Sequence, residues 1–103
     1  MTTTMIVLMD IHDAGWMADY FENVPALLRE YGATVVSVGT DIAAIEGEAG
    51  VPDRIAVIEF PSRDAVDSFM ADPRYARHRS ARKAGSNSQI YLVSNAVRAR
   101  APA

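Results

Sequence analysis

The sequence predicts an α+β domain of βαββαβ order, built on one antiparallel sheet and working as a homodimer. Short apolar, partly β-branched runs at 5–11, 33–38, 54–60 and 88–93 alternate with two regions of helical periodicity, giving strand, helix, strand, strand, helix, strand. Right-handed crossovers then place the helices on one face of the sheet. Yet strands one, three and four carry apolar residues on both faces, as in Val7 and Leu8, Val57 and Ile58, Tyr91 and Leu92. A sheet wetted on one side alternates more cleanly, so a second copy is the expected cover of the other face.

Met5 to Ile11 reads as strand one, with Asp10 and His12 continuing one face at period two. From Asp13 to Tyr31 the apolar residues Trp16, Tyr20, Val24, Leu27, Leu28 and Tyr31 recur at three- and four-residue steps. Asp13 is the expected N-cap and Gly32 the expected C′ residue. Pro25 falls inside the pattern, where it removes a donor and should kink or split the helix. Ala33 to Val38 is strand two, interrupted at Gly39 to Asp41 by a bend or bulge and resumed as an extended segment from Ile42 to Glu46. Gly47 to Asp53 is a turn, and Arg54 to Phe60 is strand three. Ser62 caps the second helix, with Val66, Phe69 and Met70 buried. Asp72-Pro73 stops that helix and starts another, with Asp72 as N-cap. That segment runs to about Ala84, Gly85 ends it, and Ser88 to Val93 is strand four.

One domain spanning 1–97 accounts for the 103 residues, with a flexible tail at 98–103. Half the residues are hydrophobic, enough for a packed core. The absence of cysteine excludes disulfides, thiolate zinc sites and a cysteine nucleophile. No basic stretch leads an apolar one at the N-terminus, where Met1 to Thr4 runs straight into a strand-like segment, and no apolar run reaches the ~18 residues of a membrane helix. A cytoplasmic protein without membrane contact is the expectation. The net charge of −3 argues against nucleic acid as a partner.

Charge is unevenly spread. Residues 1–52 hold eight acids and the single base Arg29, while 53–103 hold five acids and nine bases. Arg74, Arg77, Arg79, Arg82 and Lys83 fall within ten residues. Such a run reads either as a solvated helix face or as a local anion site. Tyr75, Arg79 and Arg82 share one helical stripe, flanked by His78. If that stripe faces the sheet, it brings a phenol and a guanidinium to a pocket wall, and a guanidinium binds carboxylate or enolate oxygens in a planar fork. Otherwise these groups are exposed, or Arg82 pairs with Glu59. Glu59 stands between Ile58 and Phe60, where a carboxylate is either ion-paired, with Arg54 of a neighbouring copy as one partner, or raised in pKa for proton transfer. Trp16 and Tyr20 are core residues or line the same pocket. Asp10 and His12 supply too few ligands for a metal, and the common phosphate-loop, dinucleotide, metalloprotease and nucleophile-elbow patterns are absent. No cofactor is expected.

The chain resembles the bacterial family known as domain of unknown function 1330. The resemblance covers roughly residues 5–95 and rests on residues taken in order. They are Tyr20, Pro25, Gly32, Glu46-Gly47, Arg54, the run Ile58-Glu59-Phe60-Pro61-Ser62, Pro73, Tyr75 and Arg82. Asp10, His12 and Asp72 depart from the pattern. The resemblance implies a ferredoxin-like protomer in a dimeric α/β barrel and supplies no reaction. Two readings follow. One is a metal-free small-molecule enzyme for proton transfer, isomerisation, cyclisation or cofactor-free oxygenation of an anionic or enolisable metabolite. In it Arg82 holds an oxyanion, Glu59 or His78 moves a proton, Tyr75 orients the substrate, and Trp16, Tyr20, His12 and Arg79 help to bind it. The other is a non-catalytic dimeric module that binds a ligand or a protein.

Overall fold

The computed structural model describes residues 2–97; the predicted tail at 98–103 lies outside them. The elements are β1 (Thr2–Ile11), α1 (Met17–Glu30), β2 (Thr34–Gly39), β3 (Arg54–Phe60), α2 (Arg63–Ala71), α3 (Pro73–Gly85) and β4 (Ser86–Ala96). The strands form one antiparallel sheet in the order β2-β3-β1-β4, which is the ferredoxin-like arrangement predicted. β1 is paired on both sides, so it extends three residues further than its apolar run suggests.

Alternation along β1 sorts the two faces. Thr3, Met5, Val7 and Met9 are buried and lie opposite Phe60, Ile58, Ala56 and Arg54 of β3. Against them pack Val24, Leu27 and Leu28 of α1, Val66 and Phe69 of α2, and Tyr75 of α3. Rings link the layers, with Phe60 to Phe69 at 5.9 Å and Phe69 to Tyr75 at 4.3 Å between centroids. The other parity carries Ile6 and Leu8, Ile55 and Val57, Tyr91 and Val93. Tyr91 is 53% exposed and Val93 45%. This is the helix-free face.

Helix ends follow from local chemistry. α1 closes in a Schellman motif: the Ala33 N–H donates to the Leu28 carbonyl (3.1 Å), the Gly32 N–H to that of Arg29 (3.0 Å), and Gly32 has φ +75°. Pro25 neither ends nor splits α1, because Val24, Leu27 and Leu28 on either side are held in the core. Asp13 is not the N-cap. Its side chain accepts from the Gly15 N–H (2.9 Å) in a turn, and the helix begins only at Met17. The strand predicted for Ile42–Glu46 is not formed. Gly39 pairs with Ile55 near the start of β3, so residues beyond it have no strand to meet, and Ile45 is 96% exposed. The irregularity in β2 falls instead between Val35 and Ser37.

The buried Asp72 ties α1 to the α2–α3 junction. Its carboxylate accepts from the Tyr31 hydroxyl (2.5 Å), the Arg74 N–H (2.8 Å) and Arg74 Nη2 (2.9 Å), while Arg74 Nη1 reaches both oxygens of Glu30 at 3.1 Å. The Arg74 guanidinium, with the Tyr31 hydroxyl, holds the Asp72 carboxyl well below the usual carboxylate range. A carboxylate depressed in the folded state stabilises it above the unfolded-state pKa of about 4 and loses that contribution as the pH falls below. Asp72→Asn is therefore expected to lower the melting temperature by several degrees at neutral pH. The gap to wild type should narrow in an acid titration; a gap constant with pH would show that the charge plays no part.

Candidate functional site

α3 has poor apolar content, yet it buries one stripe: Tyr75, His78, Arg82 and Gly85. The spacing of three, four and three residues keeps these on one side of a 3.6-residue helix. Arg74, Arg77, Arg79 and Lys83 stay exposed. The stripe meets Trp16, at the N-cap of α1, and Tyr20 within that helix. The Tyr20 and Tyr75 hydroxyls are hydrogen-bonded at 3.0 Å, and Trp16 packs edge-on against the Tyr20 ring at 5.2 Å.

Below these rings, between helices and sheet, is a largely apolar cavity of about 180 Å³. It touches all four strands, from Val35 and Val38 on β2 to Ile90 on β4. Three interstrand spacings of about 4.8 Å make those ends ~14 Å apart. Phe21, Val35 and Val38 are the exposed members of the lining and mark the mouth. There the Arg54 guanidinium lies 4.4 Å over the Phe21 ring. Arg82 stands at the β4 end, 4% exposed, and its Nε has no hydrogen-bond partner among the described residues. A buried unpaired donor costs about 1–3 kcal/mol, more where charge is involved.

The polar groups are tuned toward donation. Burial, then the neighbouring Tyr75 phenol, push the Tyr20 hydroxyl far above its ordinary pKa, and the nearby Arg82 opposes this only in part. Tyr20 therefore keeps its proton, as a hydrogen-bond donor and not a base. Among the described residues, neither a carboxylate nor an imidazole lines the cavity.

The structure thus brings Arg82, Tyr75 and Tyr20 together. Trp16 backs Tyr20 and does not line the cavity. His78 is buried behind Tyr20, its ring edge-on at 5.9 Å and its Nδ1 3.7 Å from the Asp19 carboxylate. It opens onto a separate shallow cleft with Arg74 and Arg77. Glu59 needs correction: it lies on the helix-free face, in register with Thr4 and Thr34, so the sheet separates it from Arg82. His12 is exposed beyond the end of β1, where its N–H donates to the Gly85 carbonyl (3.1 Å). Arg79 is also outside, since the inward position belongs to His78. Sequence reasoning missed Phe21, Arg54 and Met70 in the lining. For Arg54 a signal existed, because it shares the parity of Ile58 and Phe60 and not that of Glu59.

Comparison with known proteins adds the following. No curated protein sequence matches. Among solved structures, the chain is similar to the RPA0582 protein of unknown function from Rhodopseudomonas palustris (TM-score 0.79, 19% identity, covering 94% of this chain and 84% of that one). It is similar to SnoaB, a cofactor-independent oxygenase from Streptomyces nogalater (TM-score 0.68, 16% identity, 99% and 98% covered). It is also similar to a dimeric ferredoxin-like protein of unknown function from Jannaschia sp. CCS1 (TM-score 0.69, 12% identity, 91% and 99% covered). At these identities the likeness establishes the fold. The family model for the domain of unknown function DUF1330 matches residues 2–96, and the chain belongs to that family.

Proposed function

We propose that the protein is a metal-free small-molecule enzyme that binds the oxyanion or enolate of a mostly apolar metabolite in the cavity between helices and sheet. The observation that carries this is the Arg82 guanidinium, buried and with an unpartnered Nε, at the end of an apolar slot. In such surroundings a fixed cation stabilises developing negative charge far more than it would in water. Tyr20, which keeps its proton and is hydrogen-bonded to the Tyr75 hydroxyl, supplies a second donor, and the two phenols fix the substrate's orientation. Guanidinium and phenol groups suit an anion and not a metal ion.

The chemistry supported best is enolate stabilisation. An enolate held this way reprotonates elsewhere, closes a ring, or reacts with dioxygen. The last option is favoured by the shared fold of a cofactor-independent oxygenase. With Glu59 across the sheet and His78 outside the lining, the proton leaves to solvent or to the substrate's own basic oxygen.

The test uses 4-nitrophenol, whose anion absorbs visible light. Wild type is expected to bind it as the phenolate at a pH where the free probe is mainly neutral, lowering its apparent pKa by about one unit or more. Arg82→Gln should abolish the shift. A probe bound in its neutral form would favour a plain binding module, and no binding would remove the reading.

The helix-free face supports a homodimer, and two of the similar solved structures are described as dimeric. Ile6, Leu8, Ile55 and Val57 there would otherwise form an apolar patch of the kind that associates or aggregates. Sedimentation at micromolar concentration is expected to show a dimer, and Ile6→Asp a monomer or precipitate. A stable wild-type monomer would contradict this.

A further inference from the structure

A second concavity lies along the free edge of β4, beside the last turns of α3. Its volume is about 470 Å³, and it shares Met70, Arg82 and Ile90 with the inner cavity. These three side chains form the partition between the two spaces. The outer cleft adds Arg79 and Lys83 from α3, with Ser88 and Asn87 from β4, and no carboxylate.

The charges along α3 divide in a telling way. Arg74 is neutralised by Asp72 and Glu30, and Arg77 donates to Asp19 at 2.6 Å. Arg79, Arg82 and Lys83 have no ion-pair partner among the described residues, and these are the three that line the cleft. Arg79 and Lys83 stand four residues apart on one helix face, where like charges repel. A concavity that gathers three unneutralised cations concentrates positive potential and draws in multivalent anions.

We propose that the ligand is an amphiphile: an apolar body in the inner slot, and a head of two or more negative charges in the outer cleft. Arg82 grips the junction, with Arg79 and Lys83 holding the head. A phosphate or phosphonate ester of a small ring or chain has this form. Met70 is unbranched and adapts its shape readily, so the partition passes a linker without moving the backbone. The inference rests on the binding reading given above and adds the class of head group.

Three probes test it by calorimetry at mildly alkaline pH: 4-nitrobenzylphosphonate, 4-nitrobenzoate and inorganic phosphate. The phosphonate is expected to bind at least about tenfold tighter than the benzoate, the gain typical of an added charge-assisted contact, and tighter still than phosphate. The double variant Arg79→Gln, Lys83→Gln should erase that advantage and leave benzoate binding unchanged. Equal affinity for phosphonate and benzoate in wild type overturns the proposal while sparing the inner site. Phosphate binding as tightly as the phosphonate overturns it too, leaving a detached ion site. If neither aromatic probe binds, both this proposal and the reading beneath it fail.

Discussion

Replacing Arg82 by methionine is expected to raise the melting temperature of the ligand-free protein while abolishing its affinity for anionic ligands. The opposite signs are the point. Arg82 is 4% exposed beside apolar side chains, and its Nε lacks a partner among the described residues. An apolar side chain of similar length removes that burden, and exchanges of buried charge for packed hydrocarbon often stabilise by about 1–4 kcal/mol. At ~1 kcal/mol the melting temperature of a domain this size rises by about 4–8 °C. A bound anion would lose its charged partner, at a cost of about 2–5 kcal/mol, or roughly thirtyfold and more in affinity. Thermal melts with and without 4-nitrobenzoate measure both. A variant less stable than wild type would make Arg82 a structural residue, whatever its effect on ligands.

Gly85→Ala should be the most damaging single methyl in the molecule. A Cβ at Gly85 would come within 2.7 Å of the Asp13 carbonyl oxygen and closer still to the Trp16 indole. The carbonyl belongs to the backbone of the turn leading into α1, and Trp16 is braced against Tyr20, so neither moves without disturbing the other. Overpacking of this kind costs about 1–3 kcal/mol and occasionally more. A fall in melting temperature of about 10 °C or more is expected, with weaker ligand binding as Tyr20 shifts. Trp16→Leu, which clears the space, should recover much of the loss when combined with it. An unaltered melt for Gly85→Ala would mean that the α3–β4 corner is not close-packed.

That glycine also illustrates what could be read from the residues in advance. The pattern places the end of α3 at Gly85, and Gly85 is the last residue of that helix. It has no positive φ; it is small because the Trp16 indole, from the turn before α1, lies against it. No local pattern encodes such a contact between residues 16 and 85. Patterns that are local did speak clearly. Gly32 closes α1, Ser62 caps α2 through the Ala65 N–H at 3.1 Å, and Asp72-Pro73 starts α3. The apolar, β-branched run of β1 marked it as a strand, and its buried parity, Thr3, Met5, Val7 and Met9, is the face that meets the helices. In β3 both parities are apolar, so nothing in the pattern chose a side for Glu59, and its separation from Arg82 emerged only from the register. On α3 a one-residue ambiguity between His78 and Arg79 decided which lay inside, and neighbours on α1 resolved it. The mostly exposed segment at 42–46 looked extended because Ile42 and Ile45 suit a strand, but a strand also needs an edge to join.

The connection between β2 and β3, residues 40–53, touches neither the slot nor the outer cleft. Closing a surface loop costs only ~0.6 kcal/mol more for each doubling of its length. Short of Asp53, which bonds to Met9 and Ile11 of β1, it is therefore the place where this scaffold can be cut, lengthened or fused to a tag or a reporter domain while both concavities stay intact.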